Sequence, residues 1–273
     1  MNQSNIRKPC AAGQFYPASA KDINKMISSF ADGGGQKKDV IGCVLPHAGY
    51  VYSGRVAVQT ISKVNIKDTI VLLGPNHTGI GAPFSIMPRG FWETPLGNVE
   101  IDERLAGLLL SKTRHLEADM LAHQDEHSLE VELPILQYFR SDFKIIPIAI
   151  MSNDLSALKE VGEELAAAIS ENNLKDSVMF IASSDLTHYE EQRSAQKKDS
   201  LAIEAISNLD ENKLEQVVRQ FDISMCGFGP VAVLIKAAKL LGAKKGELIK
   251  YQTSGDASGD TSSVVGYAGI TIY

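Results

Sequence analysis

Cysteine is scarce in this 273-residue chain, and the three present (Cys10, Cys43, Cys226) are odd in number and far apart. That spacing excludes a disulfide framework and fits a reducing compartment. No basic block exceeds a Lys-Lys pair and the net charge is −6, so no nucleic-acid partner is expected from charge. The longest aliphatic stretch, Ile145 to Met151, is too short to span a bilayer and is broken by Pro147. The first residues, Met1 to Lys8, are not followed by the apolar core of a signal peptide. The expectation is a soluble cytoplasmic protein without a membrane partner. Neither a dinucleotide fingerprint nor a phosphate loop with Lys-Ser/Thr occurs, and no internal repeat or long linker divides the chain. At 44% hydrophobic and 22% charged residues the chain reads as one globular domain over 1–273.

What is present is a pair of matching strand ends. Residues 40–45 form an apolar run leading into Pro46-His47-Ala48-Gly49-Tyr50, and residues 69–73 lead into Gly74-Pro75-Asn76-His77-Thr78-Gly79. Short continuous apolar runs bounded by Gly and Pro read as buried strands of a parallel sheet. In open α/β sheets ligands gather beyond the carboxyl ends of such strands. One histidine in such a place reads as structural; two at equivalent ends point to a site.

Further along, strand-like and helix-like segments alternate, which implies parallel pairing with helices on the sheet faces. Helices are expected over Ser53–Val64, Asp102–Ser111 (Asp102 as N-cap), Ser128–Arg140, Leu155–Asn172, Ser194–Leu209, Glu211–Phe221 and Gly229–Leu241. Pro134 is a difficulty for the third of these, because it should bend a helix interior. Strands are expected over Phe143–Ile150, Val178–Ala182, Gly246–Ser254 and Val264–Ile272, with an antiparallel excursion within Phe84–Glu100. The fold class is α/β, with a mixed, mainly parallel central sheet flanked by helices.

Val178–Ala182 runs into Ser183-Ser184-Asp185-Leu186-Thr187-His188. That spacing lets Asp185 orient the His188 imidazole; the alternative is Asp185 capping a turn with His188 on the surface. Cys226 precedes the apolar helix at Gly229, where a helix N-terminus lowers a thiol pKa, although a lone cysteine is also a common buried apolar residue. Cys43 reads as the buried kind, Cys10 carries no signal, and His115 reads as surface. His123 and His127 are four apart, but Gln124 stands where the zinc-protease pattern needs Glu, so a secondary pocket role is expected rather than zinc ligation. The Gly/Asp/Ser-rich stretch Thr253–Asp260 is read as a pocket-edge loop.

Taken in order, Arg7-Lys8-Pro9, Gly13-Gln14-Phe15-Tyr16-Pro17, the two histidine segments, Asp125-Glu126-His127-Ser128-Leu129-Glu130, the Ser183–His188 segment, Cys226-Gly227 and Ser254-Gly255-Asp256 resemble the MEMO family, including the AmmeMemoRadiSam system protein B members. That resemblance implies a fold similar to class III extradiol dioxygenases (LigB-like), with a metal-capable cleft. By family position His47 and His77 would be metal ligands. Cys226 would replace the dioxygenase glutamate, and His188, with Asp185, would be the acid/base group. Tyr50, Glu126, His127 and Asp256 would stand around the pocket. The metal implied is iron(II), and the thiolate makes copper or zinc credible beside it.

Three functions follow as expectations. The first is a non-haem metal-dependent oxidoreductase or dioxygenase-like enzyme of unknown substrate. The second is a non-catalytic scaffold whose cleft takes a small molecule or peptide, working with the AMMECR1-like and radical-SAM partners that the family name implies. The third, ranked lowest, is nucleophilic chemistry by Cys226 activated by His188.

Overall fold

The computed structural model describes residues 6–31 and 36–273; the Met1–Asn5 part of the N-terminal reading lies outside the described residues. In chain order the first elements are β1 (Ile6–Arg7), α1 (Ala20–Phe30), β2 (Gly42–Leu45), a π-helical turn (Tyr50–Gly54), α2 (Arg55–Ile61) and β3 (Thr69–Pro75). Next come β4 (Phe84–Ile86), β5 (Phe91–Thr94), β6 (Gly97–Ile101), α3 (Glu103–Lys112), β7 (Glu117–Ala118), α4 (Leu121–Gln124) and α5 (Glu132–Phe139). β8 (Lys144–Ile150), α6 (Leu155–Glu171), β9 (Val178–Ser183), β10 (His188–Glu190), α7 (Gln192–Ser207) and α8 (Glu211–Gln220) follow. The chain closes with α9 (Phe228–Leu241), β11 (Gly246–Thr253), α10 (Gly255–Ser258) and β12 (Val264–Ile272).

The strands form one mixed sheet whose main path is β1-β5-β6-β8-β3-β9-β2-β12-β10. Its middle, from β6 through β8, β3 and β9 to β2, is parallel throughout. β2, β3 and β9 are buried along their whole length, as continuous apolar runs require when helices cover both faces. β12 then adds antiparallel to β2, with β11 and β10 antiparallel to β12. β5 and β6 form the expected antiparallel excursion around Pro95-Leu96. Pro147 is tolerated in β8 because it falls between Ile145, which pairs with β6, and Ile148, which pairs with β4.

Helices α6 and α9 pack against each other, with α9 on β3 and β9, while α2 packs on β11 and β12. In α6 the periodic positions Leu158, Val161, Leu165, Ala168 and Ile169 are all buried, and Asp154 caps the helix through the Ser156 amide. Asp102 caps α3 as expected, accepting from the Leu105 amide at 2.9 Å.

Some boundaries differ from the sequence reading for identifiable reasons. α5 begins at Glu132, not Ser128, because residues 128–131 turn toward the sheet, where the Ser128 hydroxyl donates to the Pro75 carbonyl at 3.1 Å. Pro134 is then third in the helix, where its missing N–H has no intrahelical partner in any case. The helix expected from Ser53 is split into the π-helical turn and the short α2. The Thr253–Asp260 loop contains a single helical turn, α10. His115 is half-buried rather than on the surface, with Nε2 3.0 Å from Glu160 and its ring against Phe84. No helix among the described residues is long and apolar enough to cross a membrane.

Candidate functional site

The order β3-β9-β2 places the two histidine-bearing strand ends on either side of β9. His47 follows β2, His77 follows β3, and Ser183 ends β9 between them. Parallel strands deliver all three carboxyl ends to one pole of the sheet, so sequence distance becomes spatial adjacency. The His47 and His77 rings meet edge-to-face with centroids 5.2 Å apart. Cys226, from the loop entering α9, puts its Sγ 3.3 Å from His47 Nε2.

Two glycines permit that convergence. A Cβ on Gly74 would collide with the Leu129 side chain and the Ser128 hydroxyl, and one on Gly227 would strike the Ser183 carbonyl and Ser184. The Cys226 loop therefore lies directly against the end of β9. Gly227→Ala is expected to destabilise the fold by about 1–3 kcal/mol in a urea titration, since overpacking forces the loop outward. An unchanged midpoint would contradict that packing.

Each histidine is held from behind. Glu126, fully buried, accepts from the His77 backbone amide at 2.5 Å and sits 2.9 Å from His77 Nδ1. Burial would raise the Glu126 carboxyl, but the His77 hydrogen bond and backbone amides overcome it and hold it at about 2. An ionised carboxylate there makes Nδ1 the protonated nitrogen of His77 and leaves Nε2 facing outward. His47 is buried, with Nδ1 2.8 Å from the Ser183 hydroxyl and its backbone amide donating to Asp185 at 2.9 Å. Burial, then the neighbouring His77 and His127, hold the His47 imidazole well below its usual range, so it is neutral and able to ligate.

His127 joins the pair, stacked on His77 at 4.7 Å and covered on its other side by Phe15 at 4.4 Å. His123 does not: it is buried, with Nε2 3.2 Å from the Ser85 carbonyl and its ring against Trp92. The helix that would have aligned these two histidines stops at Gln124.

Asp185 and His188 do not pair. Asp185 turns inward to the His47 amide, and burial raises its carboxyl to about 7 despite amide donors from His47 and Ala48. His188 stands at the rim, with its amide and Nδ1 taken by Ser224. The two residues between them, Leu186 and Thr187, are fully buried, and His188 opens β10 beyond them. Cys226 also differs from expectation. Burial and then the Asp185 charge push its thiol pKa up, and the helix end does not lower it. Tyr50 lies beneath the site, donating its hydroxyl to the Val131 carbonyl at 2.7 Å. Asp256 is exposed and accepts from the Thr253 amide within its own turn.

Sequence reasoning missed Ser183 and Glu132 behind His47, and the buried Arg7–Glu130 pair below His127. Two glutamates inside the apolar run Leu129-Glu130-Val131-Glu132-Leu133 were the available signal, because buried carboxylates need a purpose.

The donor set fits a metal. Donor atoms of His47, His77 and Cys226 all lie within 4.8 Å of one another, and His77, Glu126 and His127 form an overlapping group. Metal–nitrogen and metal–sulfur bonds of usual length in a tetrahedral site separate N and S by about 3.5 Å. The His47–Cys226 spacing of 3.3 Å is close to that.

The family model described as Memo-like protein matches residues 7–271. A MEMO1 family protein of Methanopyrus kandleri is 45% identical, covering 97% of this chain and 98% of the relative. One of Methanococcoides burtonii is 46% identical, covering 98% and 100%. One of Pyrobaculum aerophilum is 43% identical, covering 98% and 99%. A match spanning both histidine loops, the Glu126 turn and the Cys226 loop shows that the chain belongs to the Memo-like family.

Proposed function

We propose that His47, His77 and Cys226 bind one first-row metal, iron(II) first with copper or zinc as alternatives, and that the protein is a metal-dependent oxidoreductase of unknown substrate. The observation that carries this reading is the meeting of two neutral-capable imidazoles and one thiol at the carboxyl pole of the sheet. Two nitrogen donors and one sulfur donor suit first-row metals and leave coordination positions for a substrate. When bound, such a metal would supply Lewis acidity and, if iron or copper, one-electron chemistry.

The chain's own residues set the surroundings. Glu126 orients His77, and Asp185 fixes the His47 backbone, its carboxyl raised by burial to about 7. His127, stacked on His77 and partly exposed, would exchange a proton with a bound ligand, with His188 at the rim as a second carrier. Anaerobic purification followed by elemental analysis tests the reading. One equivalent of a single metal per chain is the expected outcome, and metal-free, folded protein after reconstitution with Fe(II), Cu(I) and Zn(II) would sink it.

A second reading has its own support. Val51, Tyr52 and Tyr189 are exposed, and they follow directly on the His47 and His188 loops. Exposed aromatic and aliphatic groups beside a cleft suit a peptide or protein partner, including the AMMECR1-like and radical-SAM proteins. A pulldown that recovers those partners equally with His47→Ala and Cys226→Ala chains would favour a scaffold over an enzyme.

A further inference from the structure

Glu132 is the buried acid with no assigned task. It lies in the first turn of α5, is fully buried, and has no cation beside it among the described residues. Its neighbour in sequence, Glu130, shows the contrast: that carboxylate takes the Arg7 guanidinium, two backbone amides and the Tyr16 hydroxyl. Glu132 has one hydrogen-bonding neighbour, the Ser183 hydroxyl at 2.9 Å from Oε1, and its Oε2 has none. An unpaired carboxylate in that setting would cost several kcal/mol. Burial, with the Asp185 charge adding to it, raises the Glu132 carboxyl well above its usual range.

Counting protons at Ser183 gives the same answer independently. A hydroxyl has one proton and two lone pairs. Three groups surround the Ser183 oxygen: the Ser128 carbonyl at 2.9 Å, Glu132 Oε1 at 2.9 Å and His47 Nδ1 at 2.8 Å. The Ser128 carbonyl can only accept, so it takes the proton. The other two contacts are satisfied only if both donate, which requires a Glu132 O–H and a His47 Nδ1–H. An ionised Glu132 would leave two acceptors competing for one hydroxyl proton. A His47 protonated at Nε2 instead would leave Nδ1 as another competitor. With the carboxylic acid occupying one lone pair, the hydroxyl has a single vacancy, and His47 fills it by donating.

We propose that Glu132 is a buried neutral acid which, by donating to Ser183, fixes that hydroxyl so that His47 is held as the Nδ1–H tautomer with Nε2 directed at Cys226. Glu132 and Ser183 are thus positioning residues, acting on the cluster through His47. This inference rests on the metal reading for its consequence, while the tautomer belongs to the metal-free protein. The arrangement parallels the one at His77, where an ionised Glu126 does the same work directly.

The test is long-range proton–nitrogen NMR of metal-free, histidine-labelled full-length chain, with the His47 signals assigned through His47→Asn. His47 is expected to be protonated at Nδ1 in the wild type and in Glu132→Gln, whose amide N–H replaces the acid O–H. Glu132→Leu and Ser183→Ala are expected to lose the single tautomer, and Co(II) binding should weaken by about 10–100-fold, as for other residues that support metal ligands. A carboxylic acid C=O band in the infrared should disappear in Glu132→Gln. A wild-type His47 protonated at Nε2 would overturn the proposal, as would a Glu132→Gln tautomer shift equal to that of Glu132→Leu. The expected tautomer without any Co(II) binding would uphold this inference and defeat the metal reading instead.

Discussion

Glu130→Ala is expected to lower the unfolding free energy by about 3–5 kcal/mol, the usual cost of removing one partner of a buried ion pair. Glu130 is fully buried and holds together residues more than a hundred positions apart in sequence. It accepts from the Arg7 guanidinium, from the Cys10 and Ala11 amides at 2.8 and 2.9 Å, and from the Tyr16 hydroxyl at 2.5 Å. The truncation leaves Arg7 charged and buried, with only carbonyls, the Cys10 sulfur and the Trp92 ring around it. Arg7→Met combined with Glu130→Leu should recover part of the loss but not all of it, because two amides and a hydroxyl still lack an acceptor. Equilibrium denaturation of the two variants measures this, and a loss below about 1 kcal/mol for Glu130→Ala would contradict it.

The same pair predicts an acid limb of known sign. Burial raises the Glu130 carboxyl, but Arg7 and the Tyr16 hydrogen bond outweigh it and leave the folded-state pKa below the usual value. A group depressed in the folded state contributes stability above its unfolded pKa, about 4.3, and loses it as pH falls through the folded value. Stability should therefore decline below about pH 4 in the wild type. Glu130→Gln should be weaker at neutral pH and flatter in acid. The loss also reaches the site, since Arg7 Nη2 donates at 2.7 Å to the Glu126 carbonyl, in the turn that carries His127.

Legibility in the sequence followed the range of the interactions. His47 and His77 could be read because each ends a continuous apolar run punctuated by Pro or Gly, a local signal of a buried parallel strand. Those strands flank β9, one on each side of it. What holds the histidines could not be read, because Glu126 and Ser183 reach them across 49 and 136 residues and leave no periodic trace. Proximity in sequence also misled: Asp185 and His188 are three apart, yet one faces the His47 amide and the other Ser224. Cys226 was placed correctly before α9, but the helix-end effect assumed an exposed thiol. The close approach allowed by Gly227 sets the half-buried thiol against the end of β9, and desolvation dominates.

The largest functional effect is expected at Cys226. Cys226→Ala removes the sulfur donor and leaves His47 and His77 to hold a metal alone, so affinity should fall by more than the about 100-fold typical of losing a supporting residue. Cys226→Asp separates donor identity from mere presence. Its carboxylate reaches farther than Sγ and replaces a soft donor by a hard one, which favours Fe(II) or Mn(II) over copper or zinc. Anaerobic competition among these metals, read by elemental analysis, should show Ala empty and Asp loaded with the harder ions. The thiol is raised by burial in the metal-free chain, so metal binding must displace its proton. Wild-type loading should accordingly release a proton and tighten with rising pH, whereas the Asp variant should show a weaker dependence. Equal loading of wild type and Cys226→Ala would remove Cys226 from the ligand set. The metal would then have to sit on the overlapping group of His77, Glu126 and His127, one histidine further toward Phe15.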